Sequence, residues 1–169
     1  MNPANETSPE ISNSTVSTPE DAFDALKTFF ETQPASRKAL GTLQDGVEIA
    51  VSIGGAVDCA LFQRDGQPKV ERRAALKPDF SFTIRPESVY VLSKQPAEEV
   101  GEVGVAVFKE LLAGNISVRM TGGLMSVLSH GYLNMLKAGG AKFAAALAAN
   151  GLNGVSRIMA ALKKLRGQS

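Results

Sequence analysis

Between Val47 and Ile53, apolar side chains fall on every second residue: Val47, Ile49, Val51 and Ile53 alternate with Glu48, Ala50 and Ser52. A period of two predicts a strand with one buried face. Gly54-Gly55 supplies a hairpin turn, and Val57, Cys59 and Leu61 mark the return strand. Arg64-Asp65-Gly66-Gln67 predicts another turn, leading into a strand from Val70 to Leu76. Pro78-Asp79 breaks that run. Phe80, Phe82 and Ile84 then alternate with Ser81, Thr83 and Arg85, and further on Ile116, Val118 and Met120 alternate with Ser117, Arg119 and Thr121.

Around these strands the period lengthens to that of a helix. Thr18 caps and Pro19 opens a segment whose buried side is Phe23, Leu26, Phe29 and Phe30, ended by Gln33-Pro34. Arg37 to Leu43 is a short helical turn. Pro86-Glu87-Ser88 starts a short helix carrying Val89, Tyr90 and Leu92. The stretch Ala97–Ala138 holds the largest apolar excess. Val100, Val103, Val107, Phe108, Leu111 and Leu112 recur at helical spacing, Gly114 stops that helix, and an apolar helix over Leu124–Leu136 follows Gly122-Gly123. Strands grouped first and helices later predict an α+β fold: a mainly antiparallel sheet of about five strands, covered by helices on one face.

Residues 1–17 are almost all Asn, Ser, Thr, Pro, Glu and Ala, and are expected to form a disordered tail. Residues 18–138 form the expected globular domain, and residues 139–169 a helical C-terminal extension. In that extension, a helix from about Val155 to Leu165 has Ile158, Met159, Leu162 and Leu165 on one face with Arg157, Lys163, Lys164 and Arg166 around it. Its first reading is a terminal helix docked on the domain. The basic amphipathic pattern makes the 155–166 segment a candidate for membrane contact or a lid.

Composition narrows the chemistry. The chain has 169 residues, is 44% hydrophobic and carries a net charge of +1, so no electrostatic field argues for nucleic acid. Low aromatic content (6%) and the absence of Trp weaken base stacking further. A single cysteine, Cys59, leaves no internal disulfide or cysteine-rich metal site, and it reads as a small buried strand residue. With neither a signal peptide pattern nor a membrane-spanning run, a cytoplasmic location is expected.

Catalytic motifs are missing from the sequence. His130, the sole histidine, has Ser126 and Ser129 near it but no carboxylate at helical reach, so it reads as a satisfied or exposed side chain. No zinc spacing or P-loop exists, and Gly101-Glu-Val-Gly104 is not a strand-linked dinucleotide fingerprint. Neither a catalytic residue, nor a metal site, nor a cofactor is expected. Arg72 and Arg73 with Lys69 and Lys77 form a basic strand edge, read first as edge protection and second as a head-group site.

The segment Pro78-Asp79-Phe80-Ser81-Phe82-Thr83-Ile84-Arg85-Pro86-Glu87 resembles the sterol carrier protein type 2 family. So do the following helix ending at Gly114, the Ile116–Thr121 strand, Gly122 and the apolar Leu124–Leu136 helix. The similarity runs from about Val47 to Leu136. Gly123 stands where that family often has an acidic residue, and the region beyond Gly139 has no counterpart. The resemblance implies a five-stranded sheet covered by helices, with a lipid in a hydrophobic cavity between them. It implies non-catalytic binding or transfer of a sterol-like, fatty acyl, phospholipid or isoprenoid ligand. The alternative is an accessory factor, in some cases a homodimer, that presents polyprenyl intermediates in isoprenoid quinone synthesis. On this reading the candidate lining is Phe82, Ile84, Val107, Phe108, Leu111, Val118, Met120, Leu124, Met125, Leu128 and Tyr132. Met adapts to ligands of varied shape. Gly101 and Gly104 mark either close helix approach or empty volume, since a helix gives up about 1 kcal/mol to carry Gly in place of Ala.

Overall fold

The computed structural model describes residues 18–95 and 98–166, and the expected 1–17 tail lies outside them. Helices α1 (Pro19–Thr32) and α2 (Pro34–Leu40) precede strands β1 (Glu48–Ile53), β2 (Val57–Arg64), β3 (Gln67–Glu71) and β4 (Phe80–Ile84). Then come α3 (Pro86–Ser93), α4 (Val100–Leu112), β5 (Ile116–Met120), α5 (Leu124–Ser129), α6 (Tyr132–Ala138), α7 (Gly140–Ala149) and α8 (Val155–Arg166). The fold is α+β, with one five-stranded sheet in the order β3-β2-β1-β4-β5.

The sheet is mixed. β1 pairs antiparallel with β2 but parallel with β4, Val51 opposite Phe82 and Ile53 opposite Ile84. An all-antiparallel meander would have placed β4 beside β3. Instead the chain leaves β3 at Glu71, five residues earlier than the predicted strand to Leu76, and crosses the sheet before β4 begins. Glu48 of β1 holds the crossing. Its two carboxylate oxygens accept hydrogen bonds from the Arg73 guanidinium at 2.7 and 2.8 Å, and one of them also accepts the Leu76 N–H at 2.6 Å. Arg73 further bonds Glu71 and lies 5.3 Å from the Phe62 ring centroid. Arg72 pairs with Glu20. Within the basic cluster, Arg72 and Arg73 are thus paired with carboxylates.

α1 also covers the free edge. On the edge strand β3, the Val70 N–H donates to Glu31 and the Val70 carbonyl accepts from Lys27, each at 3.0 Å. An i,i+4 salt bridge thus stands in for a sixth strand. Thr18 caps α1 by accepting the Asp21 N–H, as its sequence predicts.

Apart from Phe62, which lies on the outer face opposite Glu48, the large apolar positions of the five strands point one way. Ile49, Val51, Ile53, Val57, Cys59, Leu61, Val70, Phe80, Ile84, Ile116 and Met120 share a core with Ala22 and Leu26 of α1, Leu40 of α2, Val89 and Leu92 of α3, Val127 of α5 and Tyr132 of α6. Burial pushes the Cys59 thiol up to about 12, as befits a packing residue.

The predicted Leu124–Leu136 helix is two helices. Gly131 turns the chain with φ +96°, and a Cβ there would stand 2.1 Å from the Thr42 carbonyl oxygen. Gly101 and Gly104 are likewise contact residues: a Cβ on Gly101 would meet the Gly139 carbonyl oxygen at 2.3 Å, and one on Gly104 the Phe143 ring at 3.0 Å. Close approach of α4 to the start of α7 explains both glycines, and empty volume is not required.

Two outcomes follow. Gly101→Ala, which would gain about 1 kcal/mol in an open helix position, is expected to lose about 1–3 kcal/mol here because backbone must shift; urea unfolding gives the sign. Glu48 is held below the usual carboxylate range by the Arg73 guanidinium and the Leu76 N–H, against the opposing effect of burial. Its contribution is complete above about pH 4.3 and is lost as pH falls through the lower folded value. Glu48→Gln should lose about 1–3 kcal/mol at pH 7 and show a shallower acid limb when stability is measured from pH 7 to 3.

Candidate functional site: a half-covered apolar face

The helical cover is uneven. Over β1, β2 and β3 the inner-face side chains are buried, with Ile53, Val57 and Val70 at 1% exposure or less. Over β4 and β5 the central pair, Phe82 opposite Val118, is only half-buried, although the pairs on either side of it (Phe80 with Met120, Ile84 with Ile116) are closed. Val107 and Leu111 of α4 pack against the same core and are also half-buried. α4 is apolar through Val103, Val105, Ala106, Val107, Phe108, Leu111 and Leu112, but its buried residues are Val100 and Gly101 alone. It is fastened at its N-terminal end through Val100 and Gly101, and near its C-terminal end Glu110 accepts from the buried Ser88 hydroxyl and the Asn115 amide, while the apolar side chains between are half-buried.

Large apolar side chains bracket β5 in the chain. Leu112 just before it is 57% exposed; Met125 and Leu128 just after it are 76% and 38% exposed. α7 has no buried residue, although it reads as apolar through Phe143, Leu147 and a run of Ala. α8 packs against β5, with Ile158 and Met159 half-buried.

The eleven expected lining residues divide into three groups. Phe82, Val107, Leu111 and Val118 are half-buried and pack against the core, and Phe108 and Leu124 are half-buried as well. Ile84, Met120 and Tyr132 are core residues with 7%, 2% and 7% exposure. Met125 and Leu128 face solvent. Met135 of α6 and Ala106 of α4 also join the half-buried layer. The helical period could have indicated both, but the reading of Leu124–Leu136 as one unbroken helix put α6 in the wrong rotation.

The carboxylate missing from the sequence neighbourhood of His130 arrives from far away. Asp79, immediately before β4 and 4% exposed, accepts from His130 Nδ1 at 2.5 Å and from the Ser126 hydroxyl at 2.6 Å. The Ser126 oxygen also lies 3.1 Å from the same His130 nitrogen. A catalytic triad needs serine and carboxylate on opposite nitrogens of the ring. Here both address Nδ1, and the serine proton goes to Asp79, so the cluster is a clasp joining α5 to the start of β4. Gly122 is part of it: a Cβ there would stand 2.0 Å from the Asp79 carboxylate. Thr121 and Gly122 N–H groups both donate to the Asp79 carbonyl.

Tyr132 packs edge-on against Phe80, ring centroids 4.8 Å apart. Burial and the nearby Asp79 carboxylate hold its phenol protonated well above the usual range. Asp79→Asn is expected to destabilise the chain by about 1–3 kcal/mol, with the hydrogen-exchange protection of α5 falling first.

No family model matches the chain, and no curated protein matches it. Among solved structures, it is similar to the UbiJ-SCP2 ubiquinone synthesis protein, with 17% identity, 71% of this chain and 94% of that one covered, and a TM-score of 0.40. It is also similar to the sterol carrier protein domain 2 of Helicoverpa armigera, with 19% identity, coverage of 82% and 97%, and a TM-score of 0.39.

Proposed function

We propose that the half-covered layer over β4 and β5 takes up the hydrocarbon part of a lipid, and that the protein is a non-catalytic lipid-binding or lipid-transfer protein. Phe82 and Val118 supply the floor, Val107, Phe108 and Leu111 the α4 wall, and Leu124, Met125 and Leu128 the α5 rim. The single observation carrying this reading is the half-burial of the Phe82–Val118 pair between closed pairs, with a helix against β5 that is apolar yet has only Val100 and Gly101 buried.

The energetics are adequate without a polar anchor. Each CH2 transferred from water contributes about 0.8 kcal/mol, so a chain of eight methylenes offers about 6 kcal/mol before ordering costs. The apolar side chains left in water around β5 gain from the same contact. α4 admits a guest by shifting its middle turns, between the Gly101 contact at one end and the Glu110 hydrogen bonds to Ser88 and Asn115 at the other, because few buried contacts resist that motion. Among the described residues, no helix is long and apolar enough to cross a membrane. α8, with Arg157, Lys163 and Lys164 exposed and Ile158 and Met159 against the body, is the segment suited to touch an anionic bilayer during exchange.

Organic extraction of the purified chain followed by mass spectrometry tests the reading and names the ligand. A polyprenyl compound would favour the accessory role in quinone synthesis, and acyl lipids a carrier role. Fatty acids of 12 to 16 carbons are expected to bind with affinity rising by up to about fourfold per CH2, and Val118→Asp should abolish the trend with the helix content unchanged. An extract free of lipid, together with affinity independent of chain length, would sink the proposal.

A further inference from the structure

The opposite face of the same strands carries a different chemistry. A hollow of about 390 Å³ opens where the β1–β2 turn, the end of β4 and the start of β5 meet; it is lined by Gly54, Gly55, Thr83, Arg85, Asn115 and Ser117, with Ile84 and Gly114 completing it. We propose that this hollow binds a phosphate group, carried by a small molecule or by a lipid head group.

Strand alternation puts Thr83 and Ser117 side by side, as direct cross-strand partners on the polar face. Both are exposed, and so is Arg85, two residues on from Thr83. Arg85 is the sole charged residue of the lining. Arg64, Arg72 and Arg73 each pair with a carboxylate, whereas Arg85, like Arg37, Arg119 and Arg157, enters no ion pair among the described residues, and of these only Arg85 lines the hollow. A guanidinium offers a planar fork of donors that matches two phosphate oxygens, and two hydroxyls supply further donors.

The backbone holds the walls in place. Gly54 N–H donates to the Ile84 carbonyl at 2.8 Å, and Arg85 N–H to the Asn115 carbonyl at 3.1 Å. Gly54 packs against Pro86 and Pro19. Gly55 and Gly114 have φ of +70° and +76°, and a Cβ on either would meet nothing within 4 Å, so both leave the hollow open. Arg85 is also the N-cap of α3, whose positive dipole end adds to the field.

The neighbouring acids do not cancel it. Glu110 is engaged by Ser88 and by the Asn115 amide. Asp58 faces Ser52 on β2 and so stands two strands away from Thr83, roughly 10 Å at ordinary strand spacing. Glu87 is exposed in the first turn of α3 and outside the lining. The volume falls at the lower end of small-molecule sites, roughly 300–1,000 Å³, which leaves room for more than a bare ion.

Titration of the ¹⁵N-labelled full chain with inorganic phosphate tests the site. Saturable shifts confined to Gly54, Gly55, Arg85, Asn115 and Ser117 are expected, with affinity reduced about tenfold in Arg85→Gln and unchanged in Arg119→Gln. In parallel, flotation with phosphatidic acid vesicles against phosphatidylcholine vesicles distinguishes the sources. Arg85-dependent binding to the vesicles without saturation by free phosphate assigns the site to a head group, and saturation by phosphate without flotation assigns it to a soluble ligand. Shifts that spread over the surface without saturating, or an equal loss in both variants, with no Arg85-dependent flotation, would overturn the proposal. Lipid uptake on the other face is read separately in the chain-length series, so failure of one proposal leaves the other standing.

Discussion

The buried Glu48 carboxylate is the interaction on which this architecture depends. A sheet whose helices all lie on one face must return the chain from edge strand β3 to the centre without disturbing that face. The crossing runs over the other face, and Glu48 meets it there with the Arg73 fork and the Leu76 N–H. Only after that crossing does β4 lie parallel beside β1 and β5 antiparallel beside β4. A carboxylate this buried is costly unless its oxygens are satisfied; three donors satisfy it here. Phe62, under the Arg64 and Arg73 guanidinium groups, closes the same region without a helix.

The crossing divides the sheet into two unlike halves. Over β1–β3, α1 packs tightly and even completes the free edge through Lys27 and Glu31. Over β4–β5 the cover is made of short or half-buried helices, with α4 and α8 directly against β5 and α7 packed on α4. Three contacts pin this half: the Gly101–Gly139 approach between α4 and α7, the Glu110 hydrogen bonds to Ser88 and Asn115, and the Asp79 clasp on α5. Stability is therefore concentrated away from the opening over Phe82 and Val118. On the proposed lipid-binding reading, a guest enters where the cover gives way at low cost.

The two faces of β4 and β5 also separate chemistries that would compete if mixed. Phe80, Phe82 and Ile84 look into the apolar layer, while Thr83 and Arg85 look out to the polar hollow. A charge brought into the apolar layer would meet a large desolvation penalty, and a hydrocarbon chain would gain little on the polar face. Strand alternation enforces the separation residue by residue.

Much of this was legible in the chain. The period-two runs in Val47–Ile53, Phe80–Ile84 and Ile116–Met120 located three of the strands and their buried faces, and Thr18-Pro19, Pro86 and Gly114 bounded the helices as capping chemistry demands. Those features are local: a side chain's face and a cap's hydrogen bond are decided within a few residues. The parallel β1–β4 pairing, the Asp79–His130 contact across 51 positions, the break at Gly131 against Thr42 and the purpose of Gly101 and Gly104 were not legible. Each depends on which distant backbone or side chain comes to lie alongside. Periodicity states which face of an element is apolar, and it is silent about what that face meets. The sequence alone determined the excess of apolar surface in Ala97–Ala138; the tertiary structure decided that this excess is tightly packed at Gly101 and left open over Phe82 and Val118.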